Sequence, residues 1–219
     1  MLRYDLIVFD MDGTILDTLE DLTDSMNHVL LQYGYPERSI DEIRSFVGNG
    51  LYNLVRLALP EGKSEEHIQE VLSSMKAYYG DHSNIKTRPY AGILDLIRAL
   101  RDKGYKTAVV SNKIDSGVQD LCEQHYKGLF DVAIGEKDGV ARKPAPDMVY
   151  AALDELGVSK DRAVYVGDSE VDLATARNSG LDMIAVGWGF REAQFLMEQG
   201  AEKVYVSPAE VGEALGIGR

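Results

Sequence analysis

The sequence predicts an α/β fold, a doubly wound parallel sheet into which an all-α domain is inserted. Three observations carry that expectation. Short apolar, β-branched runs recur at Leu6–Phe9, Thr107–Val110, Val132–Ile134, Ala163–Val166, Met183–Val186 and Val204–Val206, and unbroken apolar runs mark strands buried on both faces. From Pro89 onward the runs alternate with helical segments, as parallel strands joined by crossover helices do. Between the first and second runs lie about seventy residues of helical periodicity, where a simple crossover needs one helix.

Taken in order, the first strand runs into Asp10-Met11-Asp12-Gly13-Thr14, and the insert follows without a convincing strand from about Leu16 to Lys86. Leu19, Leu22, Met26, Val29, Leu30 and Tyr33 share one helical face. Ser39-Ile40-Asp41-Glu42 is a capping box that opens a second helix. Leu51–Leu59 is a third, ended by Pro60, and Ile68, Val71, Leu72, Met75, Tyr78 and Tyr79 mark a fourth. Beyond Pro89 the helices are Gly92–Lys103, Ser116–His125, Pro146–Leu156 and Glu170–Ser179, three of them stopped by Gly104, Gly157 and Gly180. Ser207-Pro208-Ala209-Glu210 opens a last short helix. The expected domains are an α/β core of 1–15 with 88–219 and a helical cap of 16–87.

Bulk properties narrow the function. A chain of 219 residues with an apolar fraction of 45% can bury a sizeable core. Lys plus Arg is 23 and Asp plus Glu is 36, giving a net charge of −13, which argues against nucleic acid or an anionic membrane as partner. An anionic small substrate stays compatible, because a metal ion and a few local cations reverse the field inside one cleft. Cys122 is the single cysteine and lies at helical spacing with Val118, Leu121 and His125, as a core residue would. His28, His67, His82 and His125 are scattered, without zinc-ligand spacing. No signal-peptide pattern or membrane-span run is present, so a cytoplasmic protein is expected.

Asp10 and Asp12 stand where a strand ends and the chain turns, the place where open α/β sheets bind ligands. Such carboxylates serve as metal ligands, nucleophiles or proton carriers, although Asp and Gly also make ordinary turns. Four further features fall near strand ends. Ser111-Asn112-Lys113 offers a hydroxyl followed by backbone amides at a helix start, a phosphate seat that is also a common N-cap. Arg142-Lys143-Pro144-Ala145-Pro146 fixes Lys143 between a strand and a Pro-started helix. Asp168 ends the fourth strand, and Asp172 follows one turn later on the same helix face. Glu170 and Asp172 also suit a helix N-terminus. If the fourth strand lies beside the first, Asp10, Asp12, Asp168 and Asp172 converge, and so many carboxylates need a cation of the Mg2+ type.

With these motifs the chain resembles the haloacid dehalogenase-like hydrolase superfamily, over essentially its whole length. Within it, the chain is similar to phosphoglycolate phosphatases, through Val47-Gly48-Asn49-Gly50, Ser111-Asn112-Lys113, Lys143-Pro144-Ala145-Pro146-Asp147 and Gly187-Trp188-Gly189-Phe190. Met11 and Thr18 depart from that pattern without touching the chemistry. The resemblance implies Mg2+-dependent hydrolysis of a small anionic phosphomonoester, 2-phosphoglycolate foremost, through an aspartyl-phosphate. It implies Asp10 as nucleophile and Asp12 as acid and base. It implies Mg2+ on Asp10, the Asp12 carbonyl, Asp168 and Asp172, and phosphate contacts from Ser111, Asn112, Lys113 and Lys143, with Thr14 among the substrate-binding residues. Gly48, Asn49 and Gly50 would touch the organic part of the substrate, with Arg44 and Arg56 as weaker candidates. Pyrophosphatase, sugar phosphatase and β-phosphoglucomutase activities share this chemistry. A phospho-receiver signalling domain shares the acidic cluster but not the helical insert or Gly13-Thr14. A monomer or homodimer is expected.

Overall fold

In the computed structural model, which describes residues 3–217, the run Leu6–Phe9 forms strand β1, and all of it is buried. Leu6 and Val8 enter one hydrophobic cluster, Ile7 and Phe9 another, because successive side chains of a strand point to opposite faces. The chain then passes through β2 (Leu16–Asp17), helices α1 (Leu19–Gln32), α2 (Ile40–Phe46), α3 (Gly50–Ala58) and α4 (Glu65–His82), and β3 (Arg88–Pro89). The two-residue strands β2 and β3 pair with each other. A pairing this short leaves almost no periodic signal, which is why the sequence reads as strandless here.

After β3 come α5 (Ile93–Asp102), β4 (Lys106–Ile114), α6 (Asp115–His125), β5 (Val132–Glu136), α7 (Asp147–Leu156), β6 (Ala163–Gly167), α8 (Glu170–Ser179), β7 (Asp182–Val186), α9 (Ala193–Glu198), β8 (Val204–Tyr205) and α10 (Pro208–Ala214). The main sheet has the order β5-β4-β1-β6-β7-β8, with every pairing parallel. One face buries Ile93, Leu96, Ile97 and Leu100 of α5, Val118 and Leu121 of α6, and Val211 of α10. The other buries Met148, Val149, Ala152 and Leu153 of α7 with Ala176 of α8. Helices therefore cover both faces, as the alternation predicts. Cys122 packs at the margin of the first cluster, and burial pushes its thiol up to about 12. Helix α9 is absent from the sequence reading, since its six residues span less than two turns of periodicity.

Parallel pairing brings like ends of the strands together. Leu6–Phe9 pairs with Lys106–Val109 on one side and Ala163–Val166 on the other. The Asp10 N–H continues the ladder onto the Val166 carbonyl at 2.9 Å. The segments after β1, β4 and β6 thus leave the sheet side by side, where the strand order reverses about β1.

The chain forms two compact units, Met1–Leu16 with Pro89–Arg219, and Asp17–Arg88. The second holds its own buried set, including Met26, Val29, Ile43, Leu54, Val55, Val71 and Met75. Ser39 and Glu42 form the expected capping box on α2. Asn27 closes the α1–α2 connection by exchanging hydrogen bonds of 2.9 and 2.8 Å with the Arg38 backbone. Asp21, buried in the first turn of α1, accepts the N–H groups of Ile85, Lys86 and Thr87 at 3.0, 3.0 and 2.8 Å. That carboxylate ties the start of the unit to its end. Among the described residues no helix is long and apolar enough to cross a membrane.

Candidate active site

Asp10 leaves β1 with its carboxylate only slightly exposed. Its Oδ1 accepts the Met11 N–H at 2.7 Å and faces Lys143 Nζ at 2.7 Å. Lys143, which the sequence places in a loop stiffened by prolines, is 2% exposed. Its ammonium also meets Asp172 Oδ1 at 2.8 Å and donates to the Tyr165 hydroxyl at 3.0 Å. Asp172 is held in turn by Ser169, whose N–H and hydroxyl donate to Oδ2 at 3.1 and 2.6 Å in a capping box that starts α8. Asn112 donates to the Lys143 carbonyl at 3.1 Å and anchors that loop to the end of β4.

Asp168 is fully buried. Its Oδ1 accepts the Thr14 hydroxyl at 2.9 Å and its Oδ2 the Phe190 N–H at 2.7 Å. Glycine is required around it. A Cβ on Gly13 would lie 2.4 Å from Asp168 Oδ2, and one on Gly189 would lie 2.3 Å from the same atom. Gly13 also has φ +88°, the left-handed region open to glycine. The loop after β7 adds two more ties: Trp188 Nε1 donates to the Thr14 carbonyl at 3.0 Å, and Arg191 grips Glu170 at 2.8 and 3.0 Å.

Burial sets the electrostatics. It raises the Asp10 carboxyl well above the usual range, with Asp172 and Asp168 adding repulsion and Lys143 opposing them. Burial and the Asp172 charge push Asp168 up to about 7, against the pull of its Phe190 and Thr14 donors. Burial pulls Lys143 down, but Asp10, Asp172 and Tyr165 outweigh it and hold the ammonium well above the ordinary lysine value. Asp10, Asp168 and Asp172 offer oxygens that all lie within 4.8 Å of one another. Three buried carboxylates around one ammonium leave negative charge uncompensated. An all-oxygen donor set of this kind fits a hard divalent cation.

Asp12 stands apart from this cluster and pairs with Lys113, whose Nζ is 3.4 Å from Oδ1. Ser111 is buried on β4, and its hydroxyl accepts the Lys113 N–H at 3.2 Å. The expected helix start there is corrected: β4 runs on to Ile114 with a register shift after Val110, and α6 begins at Asp115. Thr14, expected to touch substrate, is instead fully buried with its hydroxyl committed to Asp168. Glu170 pairs with Arg191, so Asp172 is the α8 acid in the cluster. Gly48, Asn49 and Gly50 form the α2–α3 turn of the helical unit, with Gly48 at φ 117° and Gly50 at φ 76°. In the same unit Arg44 pairs with Asp41 and Arg56 with Asn53. Tyr165 escaped sequence reasoning. Its one signal is a phenol in a strand otherwise made of Ala, Val and Gly.

Comparison with known proteins adds independent findings. The family model for haloacid dehalogenase-like hydrolases matches residues 7–186. The phosphoglycolate phosphatase of Pseudomonas putida is 31% identical over 196 residues, covering 86% of this chain and 71% of its own. That of Aquifex aeolicus is 28% identical over 186 residues, covering 84% and 85%. A candidate phosphoglycolate phosphatase from Lactobacillus delbrueckii subsp. bulgaricus superposes with a TM-score of 0.95 at 42% identity, covering 100% of both chains.

Proposed function

The chain belongs to the haloacid dehalogenase-like hydrolases, and from that premise we propose that it hydrolyses a small phosphomonoester, 2-phosphoglycolate foremost, by way of a phosphoryl group carried on Asp10. The observation that carries this reading is the buried cluster of Asp10, Asp168, Asp172 and Lys143 at adjoining strand ends. Family relatives that bear the name phosphoglycolate phosphatase support the substrate.

In this reading Asp10 Oδ2 attacks phosphorus, since Oδ1 already holds the Met11 N–H and Lys143. The bond from phosphorus to the ester oxygen breaks, and Asp12 supplies the proton to the departing alkoxide. Asp12 then takes a proton from the water that cleaves the aspartyl-phosphate, which returns Asp10 and frees inorganic phosphate. One group serves both steps because the proton moves in opposite directions. Lys143, Ser111 and the Asn112 N–H bind the phosphoryl oxygens, where transition-state charge collects. Lys113 holds Asp12 in place from 3.4 Å. Asp10, the Asp12 carbonyl and Asp168 would hold Mg2+, with Asp172 beside them. The ion, when bound, offsets repulsion between the carboxylates and the phosphate dianion.

The test is phosphate release with Mg2+ from 4-nitrophenyl phosphate and 2-phosphoglycolate. Asp10→Asn should abolish turnover, and full activity in that variant would sink the assignment. A panel including sugar phosphates and pyrophosphate, compared by kcat/KM, separates the phosphoglycolate reading from its pyrophosphatase, sugar phosphatase and β-phosphoglucomutase neighbours.

A further inference from the structure

The loop after β7 has no part in the chemistry just described, yet it touches the site at two points. The Phe190 N–H sits on Asp168 Oδ2 at 2.7 Å. The Trp188 indole N–H sits on the Thr14 carbonyl at 3.0 Å, and the Thr14 hydroxyl returns to Asp168 Oδ1 at 2.9 Å. These bonds close a circuit that runs from one carboxylate oxygen, through Thr14 and Trp188, along the loop to Phe190, and back to the other oxygen. Each oxygen of Asp168 therefore has one fixed donor, and the plane of the carboxylate is set. Gly189 lies inside the circuit, where a Cβ would sit 2.2 Å from the Gly13 carbonyl and 2.3 Å from Asp168 Oδ2.

The loop is held from outside as well. Arg191 makes a two-point ion pair with Glu170, Nε to Oε2 at 2.8 Å and Nη2 to Oε1 at 3.0 Å. The pair is mostly buried, at 13% and 29% side-chain exposure, and the planar fork fixes direction as well as distance. Glu170 is the first residue of α8 and stands two positions from Asp168. One ion pair thus locks the loop after β7 to the helix that follows Asp168.

We propose that the segment Trp188–Arg191, clamped by Glu170, is a positioning element that fixes the Asp168 carboxylate for cation binding, with Trp188 and Arg191 as its positioning residues. The proposal rests on the cation-dependent reading above. It assigns Glu170 to the clamp and leaves the cation to Asp10, Asp168 and Asp172. Groups behind a metal ligand typically change affinity by tenfold to a hundredfold when removed. They act by orienting the ligand and never touch substrate.

The experiment is calorimetric titration of the purified protein with Mg2+ alone, beside thermal unfolding in EDTA. Arg191→Gln and Trp188→Phe should weaken Mg2+ binding by about tenfold, and Arg191→Lys should recover part of the loss. Arg162→Gln is the comparator. It breaks an equivalent two-point pair with Asp5, at 2.6 and 3.0 Å, which precedes β1 and β6 at the opposite ends of the strands. That variant should lose stability and keep the parent Mg2+ affinity. Unchanged Mg2+ affinity in Arg191→Gln and Trp188→Phe, with binding intact in the parent, overturns the positioning role and leaves the proposed function standing. A loss of affinity in Arg162→Gln as large as in Arg191→Gln also overturns it, because general loosening then accounts for both. A parent protein that releases phosphate without binding Mg2+ overturns the cation reading and this inference together.

Discussion

Replacing Lys143 with methionine isolates the electrostatic design of the site. Methionine keeps the unbranched stem and much of the volume, so the change removes charge and hydrogen bonding more than packing. The lost groups are the contacts to Asp10 at 2.7 Å and Asp172 at 2.8 Å, both made at 2% exposure. Removing one partner of a buried pair leaves the other charge stranded and costs about 3–5 kcal/mol. For a chain of this size that lowers the thermal midpoint by roughly 6–20 °C. The assay is thermal or urea unfolding in EDTA, because a bound cation would share the task of compensation. Saturating Mg2+ should narrow the gap. Turnover should fall at least about a hundredfold, as when a transition-state donor is removed. The double variant Lys143→Met with Asp172→Asn should regain part of the stability, since the amide oxygen of the asparagine side chain can still cap α8 and one of the two stranded carboxylates is gone. A Lys143→Met protein as stable as its parent in EDTA, with no coupling to residue 172, would refute the argument that this ammonium balances the buried carboxylates.

Two further outcomes rest on other contacts. Asp21→Ala removes one acceptor shared by the Ile85, Lys86 and Thr87 amides, and should destabilise by about 2–4 kcal/mol in urea unfolding, with Asp21→Asn losing less. Burial pushes the Asp131 carboxyl up, but the Arg101 hydrogen bond, the Thr107 N–H and the charges of Arg101 and Lys106 hold it below the ordinary value of 3.8. Its folded state therefore binds fewer protons than its unfolded state, and its stabilisation is present above pH 3.8 and lost as pH falls through the lower folded value. Asp131→Asn should accordingly be less stable than the parent by about 1 kcal/mol at neutral pH, with the difference vanishing in acid; a difference that grows on acidification would reverse the sign argued here.

The fold was legible where residues speak locally. The bounds of β1 and α8 follow from an unbroken apolar run and from acids suited to a helix start at one end with Gly180 at the other. The convergence of Asp10 and Asp168 follows from strand order, because β1 and β6 pair in register. What the sequence hides depends on distant partners. Nothing near Lys143 says that it is buried, because the reason lies in Asp10, Tyr165 and Asp172. The employment of Thr14 is equally silent, since its hydroxyl bonds a residue 154 positions away. At Ser111 the local pattern misled: a hydroxyl followed by Asn reads as a helix cap, but pairing with β5 carries the strand on to Ile114.

The Asp21 contact has a kinetic meaning as well. β1 and β4 are neighbours in the sheet although Leu6 pairs with Lys106, so the chain must close a long loop before the central strands can meet. Asp21 binds residues 85–87, which brings the two ends of the helical unit together once that unit has folded. The effective loop then shrinks from about a hundred residues to about thirty-five, which saves on the order of 1 kcal/mol of closure entropy in the folding barrier. A helical insert rich in local contacts folds fast by itself. The inserted unit thus becomes a splint for the sheet: early formation of the insert makes a distant strand pair kinetically near.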